Sequence, residues 1–149
     1  MVTNHKVKII AFVGLTGAGK SSATDYLASK GMPRVVFDSF KSTQDNLQNL
    51  IDAGQSHIVI NSIPTFGDYR ALKHAFPGML TVIALTPNKT VRYKRIKRLL
   101  GSIGPLQTHE HFGVGAVMVN ADYTIDSSGT TQQLQQKIDD ILDQIGVEL

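Results

Sequence analysis

Apolar positions alternate along this chain between short unbroken runs and helical stripes. "VKIIAFV" at 7–13 is β-branched and aromatic throughout and stops at Gly14, which predicts a strand buried on both faces. In 20–29, "KSSATDYLAS", Ala23, Tyr26 and Leu27 fall at i, i+3 and i+4, which predicts a helix ended by Gly31 and Pro33. "RVVF" at 34–37 reads as a second strand. The stretch 42–53 reads as a helix with Leu47, Leu50 and Ile51 inward, closed by Gly54. "HIVIN" at 57–61 is a third strand, broken by Pro64, and Thr65 can cap a helix running to Phe76. "MLTVIAL" at 79–85 is a fourth strand. A basic helix over 88–100 follows, with Val91, Ile96, Leu99 and Leu100 apolar. Residues 101–113, "GSIGPLQTHEHFG", are glycine-rich and weakly patterned, and read as a loop or short lid. A short helix at 114–119 precedes a fifth strand, "DYTI" at 122–125. Over 130–145, Leu134, Ile138, Ile141, Leu142 and Ile145 share one face of an amphipathic helix.

Strands alternate with helices throughout, which predicts an α/β fold: a parallel sheet covered by helices on both faces. No repeat, low-complexity tract or linker divides the chain, so 1–149 reads as one domain.

Composition narrows the chemistry. The absence of cysteine excludes disulfides, thiolate zinc sites and cysteine nucleophiles. No apolar run approaches the roughly 18 residues of a membrane span, and the first one is too short for a secretory leader, so the chain reads as cytoplasmic. The formal charge of +3 hides an asymmetry. Lys89, Arg92, Lys94, Arg95, Lys97 and Arg98 cluster in one helix, and the remainder carries 9 basic residues against 12 acidic ones. A nucleic-acid binder usually spreads its basic residues over a face. One basic helix suits a polyphosphate better, so nucleic acid is an unlikely partner.

The first strand runs directly into Gly14, Leu15, Thr16, Gly17, Ala18, Gly19, Lys20, Ser21 and Ser22. The first eight match G-x-x-x-x-G-K-[ST], between a strand and a helix as the motif requires. Glycine lets the backbone curl so that several N–H groups face one anion. The helix start adds its dipole and unpaired N–H groups. Lys20 supplies a mobile charge for the β- and γ-phosphates, and Ser21 a hydroxyl for Mg²⁺, an ion that takes oxygen ligands. The expected ligand is ATP with Mg²⁺.

Other candidates are weaker signals. Asp38, at the end of the second strand, can accept a proton from a substrate hydroxyl, hold a water on Mg²⁺, or simply cap a turn. Asn61 ends the third strand, where it can position water or close the turn before Pro64. Arg92, Arg95 and Arg98 share one helix flank, and a guanidinium can give two bonds to a phosphate; a solvated face is the alternative. His109 and His111 flank Glu110, but two histidines without a third ligand are a thin basis for a metal.

Three segments carry a family resemblance: "VGLTGAGKSS" at 13–22, "ALTPNKTVRYKRIKR" at 84–98 and "NADYTIDSSGTTQQLQQKIDDIL" at 120–142. Together they resemble the P-loop nucleotide kinases of the adenylate-kinase and dephospho-coenzyme A kinase type, and the dephospho-coenzyme A kinase-like proteins most. The resemblance implies a three-layer fold with a five-stranded parallel sheet in the order 2-3-1-4-5 and a short lid. It places Ser127, Ser128 and Gly129 at the adenine, brings the arginines of 84–98 to the ATP phosphates, and makes Asp38 the base beside the acceptor hydroxyl. Family members often have an aspartate at the position of Asn61, an arginine at that of Pro64 and an asparagine at that of Ser127. They usually carry a longer insertion after the second strand and a fuller lid. The reading that follows is an ATP-dependent kinase for a nucleotide or nucleoside-like small molecule. Lys20, Asp38, Arg92, Arg95 and Arg98 would be its catalytic groups. A nucleotide-binding regulator and a P-loop hydrolase stay open as alternatives.

Overall fold

The computed structural model describes residues 7–100 and 113–149, without the side chains of Ile96, Arg98, Leu99 and Leu100. Nearly all of the segment read as a lid, including His109 and His111, lies outside the described residues. The strands are β1 (Lys8–Val13), β2 (Arg34–Val35), β3 (His57–Ile60), β4 (Leu80–Leu85) and β5 (Tyr123–Ile125). The helices are α1 (Lys20–Ser29), α2 (Phe40–Asp52), α3 (Phe66–Ala75), α4 (Lys89–Leu100), α5 (Gly115–Val119) and α6 (Thr131–Ile145).

All strand pairs are parallel and the sheet order is β2-β3-β1-β4-β5. Its centre explains the unbroken apolar runs. Along β1, Ile9, Ala11 and Val13 face one layer, with Leu47 of α2, Tyr69 and Leu72 of α3 and Val117 of α5. Ile10 and Phe12 face the other, with Ala23 and Leu27 of α1 and Leu134, Ile138, Ile141 and Leu142 of α6. Both faces of the strand are covered, so alternation disappears from its sequence. Each large side chain fully buried here contributes about 1.5–3 kcal/mol of transfer free energy.

Two boundaries differ from expectation by two residues, and the others by one at most. Helix α2 starts at Phe40, earlier than 42, because the Ser39 side chain accepts the Ser42 N–H at 3.2 Å and caps it. Strand β2 stops at Val35, although "RVVF" has strand propensity throughout. The Asn61 N–H still bonds to Val35 O, but the Phe37 N–H donates to Asn61 Oδ1 at 2.8 Å. A side chain thus replaces the next rung of the ladder and turns the chain toward α2.

Helix α6 begins with a capping box: Thr130 Oγ accepts the Gln133 N–H, and the Gln133 side chain accepts the Thr130 N–H. Thr130→Ala is expected to cost about 1 kcal/mol of stability, measured as a lower midpoint in urea with an unchanged slope. Among the described residues no helix is long and apolar enough to cross a membrane.

Candidate nucleotide-binding site

At the carboxyl end of the sheet, the loops after β1, β4 and β5 meet. Parallel sheets bind ligands at this end, where connections leave the central strand in opposite directions. A cleft of about 640 Å³ lies there, lined by residues 16–22, Arg95, Ser127, Gly129–131 and Leu134. That volume falls within the range of small-molecule sites, roughly 300–1,000 Å³. None of the lining residues is acidic.

Glycines shape the loop from Gly14 to Gly19. A Cβ on Gly14 would sit 2.7 Å from Ala18 Cβ and 2.9 Å from Leu85 O, so the loop packs against β4 only without a side chain there. Gly19 is left-handed, with φ 104°, where L side chains are strained. It serves as the N-cap of α1 and makes no side-chain cap hydrogen bond, and the first turn contains no acid. The leading N–H groups of α1 therefore have no side-chain cap, which is the condition for an anion site at a helix N-terminus. Lys20 is half-buried at the first helical position, and Ser21 and Ser22 are exposed beside it. Just beneath, Thr24 Oγ donates to Lys20 O at 2.7 Å.

The basic helix is turned toward this loop. Asn88 starts it: its Oδ1 accepts the Val91 N–H at 2.9 Å, and its own N–H donates to Ser128 Oγ at 2.7 Å. Arg92, only 7% exposed, donates from Nη1 to Thr16 O at 3.3 Å and lies 5.2 Å from the Tyr93 ring centroid. Arg95 donates from Nη1 to Gly17 O at 3.1 Å and from Nη2 to Ser127 O at 2.7 Å. These two arginines face the P-loop, as their spacing with Arg98 suggests, but the partners seen are its backbone carbonyls. Arg98 lies in α4, with its side chain outside the described residues.

The loop after β5 closes the cleft. Ser127, 3% exposed, donates its hydroxyl to Ala18 O at 2.6 Å. The Ser128 hydroxyl and N–H hold the Asp126 carboxyl below the usual carboxylate range, and Lys137 Nζ donates to Asp126 O at 2.9 Å. A Cβ on Gly129 would press on the Gln133 side chain at 2.0 Å, so the capping box and this loop constrain each other. Thr131 and Leu134 also line the cleft. Sequence reasoning placed Leu134 only in the core stripe. The available signal was its position in the first turn after the Ser127–Gly129 loop.

Asp38 stands apart from this cleft. It is exposed at the end of the β2 segment, held by the Phe37 bond to Asn61 and by its own N–H to Thr43 Oγ at 3.4 Å. Asn61 has its carbonyl oxygen committed to the backbone. Among the described residues no cluster of three His, Asp or Glu side chains could hold a metal. Mg²⁺ does not need one: it keeps several waters and takes phosphate oxygens with one or two protein ligands. The exposed Ser21 hydroxyl beside the uncapped α1 fits that role.

No protein-family model matches the chain. A curated relative, the UPF0200/UPF0201 protein of Archaeoglobus fulgidus, is 25% identical over 92% of this chain, which spans 55% of that relative's length. Among solved structures, a sugar kinase from Janibacter sp. aligns with TM-score 0.73 at 16% identity, covering 92% of this chain and 95% of the other. The Mycobacterium tuberculosis APS kinase CysC, solved with AMPPNP and APS, aligns with TM-score 0.57 at 19% identity, covering 93% and 98%. Sheet order, central glycine-rich loop and these structural likenesses agree: the chain has the three-layer fold of the P-loop kinases.

Proposed function

We propose that the chain is an ATP-dependent phosphotransferase for a nucleotide or nucleoside-like small molecule, of the dephospho-coenzyme A kinase-like type, with 1–149 acting as one nucleotide-binding domain. The observation that carries this is the uncapped start of α1 behind a glycine-shaped loop, in a cleft with Lys20 and Arg95 and no acid. Residues 14–22 would hold the phosphates, Ser127–Gly129 would lie at the base, and Asp38 would take the acceptor's proton. Arg92, Arg95 and Arg98 would supply positive charge from α4. Bound Mg²⁺ would neutralise phosphate charge, with Ser21 as its protein ligand. Phosphoryl transfer needs chiefly positioning and fixed charge, which this layout offers.

One observation favours a second reading. β3 is followed by the amide of Asn61 and not by a carboxylate, and the amide oxygen is spent on the Phe37 N–H. That suits a nucleotide-binding regulator with slow or no transfer. An ADP-release screen over nucleosides, nucleotides and dephospho-coenzyme A, with a no-acceptor control, separates the possibilities. Acceptor-dependent release supports the kinase, acceptor-independent release a hydrolase, and binding without release the regulator.

A further inference from the structure

Three backbone carbonyls converge on one guanidinium. Arg95 Nη1 lies 3.1 Å from Gly17 O and 3.4 Å from Ala18 O, and Nη2 lies 2.7 Å from Ser127 O. The Ser127 hydroxyl adds a second donor to Ala18 O at 2.6 Å. The Gly17–Ala18 peptide is thus tied at both ends, since the Ala18 N–H donates to Leu15 O at 2.9 Å. The next peptide is held by its carbonyl. A trans peptide directs its N–H opposite to its C=O, so holding Ala18 O fixes the direction of the Gly19 N–H, the last loop donor before α1. Gly19 itself is left-handed, with φ 104°, a conformation that L side chains rarely adopt.

The guanidinium also sits beside the positive end of the α1 dipole, where a cation is disfavoured. Carbonyl dipoles offset that cost, and an anion would offset it further.

We propose that Arg95 is a positioning residue: with Ser127 it sets the P-loop backbone for the α- and β-phosphates, which ADP and ATP share, and is not a clamp on the transferred γ-phosphoryl group. The inference rests on the nucleotide-binding reading and assigns this arginine a different task within it. The two tasks differ measurably. Backbone N–H groups of such a loop cradle the α- and β-phosphates, so a brace supports both nucleotides equally. A γ-phosphate clamp supports ATP alone.

The test is calorimetric titration of wild type, Arg95→Lys and Ser127→Ala with Mg·ADP and Mg·ATP, each beside a thermal melt. Lysine keeps the charge but cannot span three carbonyls. Arg95→Lys is expected to weaken both nucleotides by the same factor, about tenfold. Ser127→Ala is expected to weaken both equally and less. If Arg95→Lys does not fold, the equal loss in Ser127→Ala must stand alone. A loss confined to ATP overturns the proposal, and so do unchanged affinities in folded variants. Wild type that binds neither nucleotide overturns the nucleotide-binding reading and this inference with it, a failure visible before any variant is made.

Discussion

Lys20→Ala is expected to weaken Mg·ATP binding by about 10²-fold, the scale of losing a charge-assisted contact in a partly enclosed site. The fold should survive. Lys20 occupies the first turn of α1, a place where a cation opposes the helix dipole, and alanine is the better helix former. Its neighbour Arg95 is a second cation at the same cleft. An anion bound between these two cations and the helix N-terminus would be favoured by all three. The loss should be larger for ATP than for ADP, because a lysine at this position reaches the β- and γ-phosphates. That asymmetry distinguishes Lys20 from Arg95, whose substitution should affect the two nucleotides alike. Calorimetry with both nucleotides, beside a thermal melt, checks it. A folded variant with wild-type ATP affinity would remove the P-loop reading.

Sequence pattern made the parallel sheet readable, whereas its order came only from the family resemblance. Strands buried on both faces leave unbroken apolar runs, and β1 and β4 are of that kind. The P-loop was readable because anion binding at a helix start demands glycine and lysine at fixed spacing. The basic helix was readable only in part. An i, i+3 spacing places Arg92 and Arg95 on one flank, but not what that flank meets. Their carbonyl partners in residues 16–18 and 127 are far away in sequence. The Ser127 hydroxyl was hidden for the same reason: its bond to Ala18 O spans 109 positions. The β2 boundary failed locally. Val36 and Phe37 have strand propensity, and only the three-dimensional approach of Asn61 shows that a side chain takes over the pairing there.

Asp38→Asn is expected to lower acceptor-dependent turnover by roughly 10²-fold or more, the loss that follows removal of a general base, while Mg·ATP affinity stays near wild type. The separation follows from the sheet. Asp38 follows the last residue of β2 by three positions, and β3 lies between β2 and the P-loop strand β1. Neighbouring strands are about 4.8 Å apart, so β2 and β1 run roughly 10 Å apart across the sheet. On the proposed reading an acceptor would lie between the end of β2 and the phosphates, and Asp38 is not among the residues that line the P-loop cleft. Its backbone is fixed by the Phe37 bond to Asn61 and by Ser39 capping α2, so the substitution should not disturb the loop. Asparagine keeps the size and one accepting oxygen of aspartate, and replaces the charged oxygen that would receive a proton by an NH2 donor. Turnover should therefore fall with little change in the acceptor's KM. Steady-state ADP release at saturating ATP, over a range of acceptor concentration, measures both constants. Near wild-type turnover would return Asp38 to the role of a turn residue. Parallel loss of ATP affinity would mean that the β2 end shapes the phosphate site itself, and the division of the sheet into donor and acceptor halves would have to be redrawn.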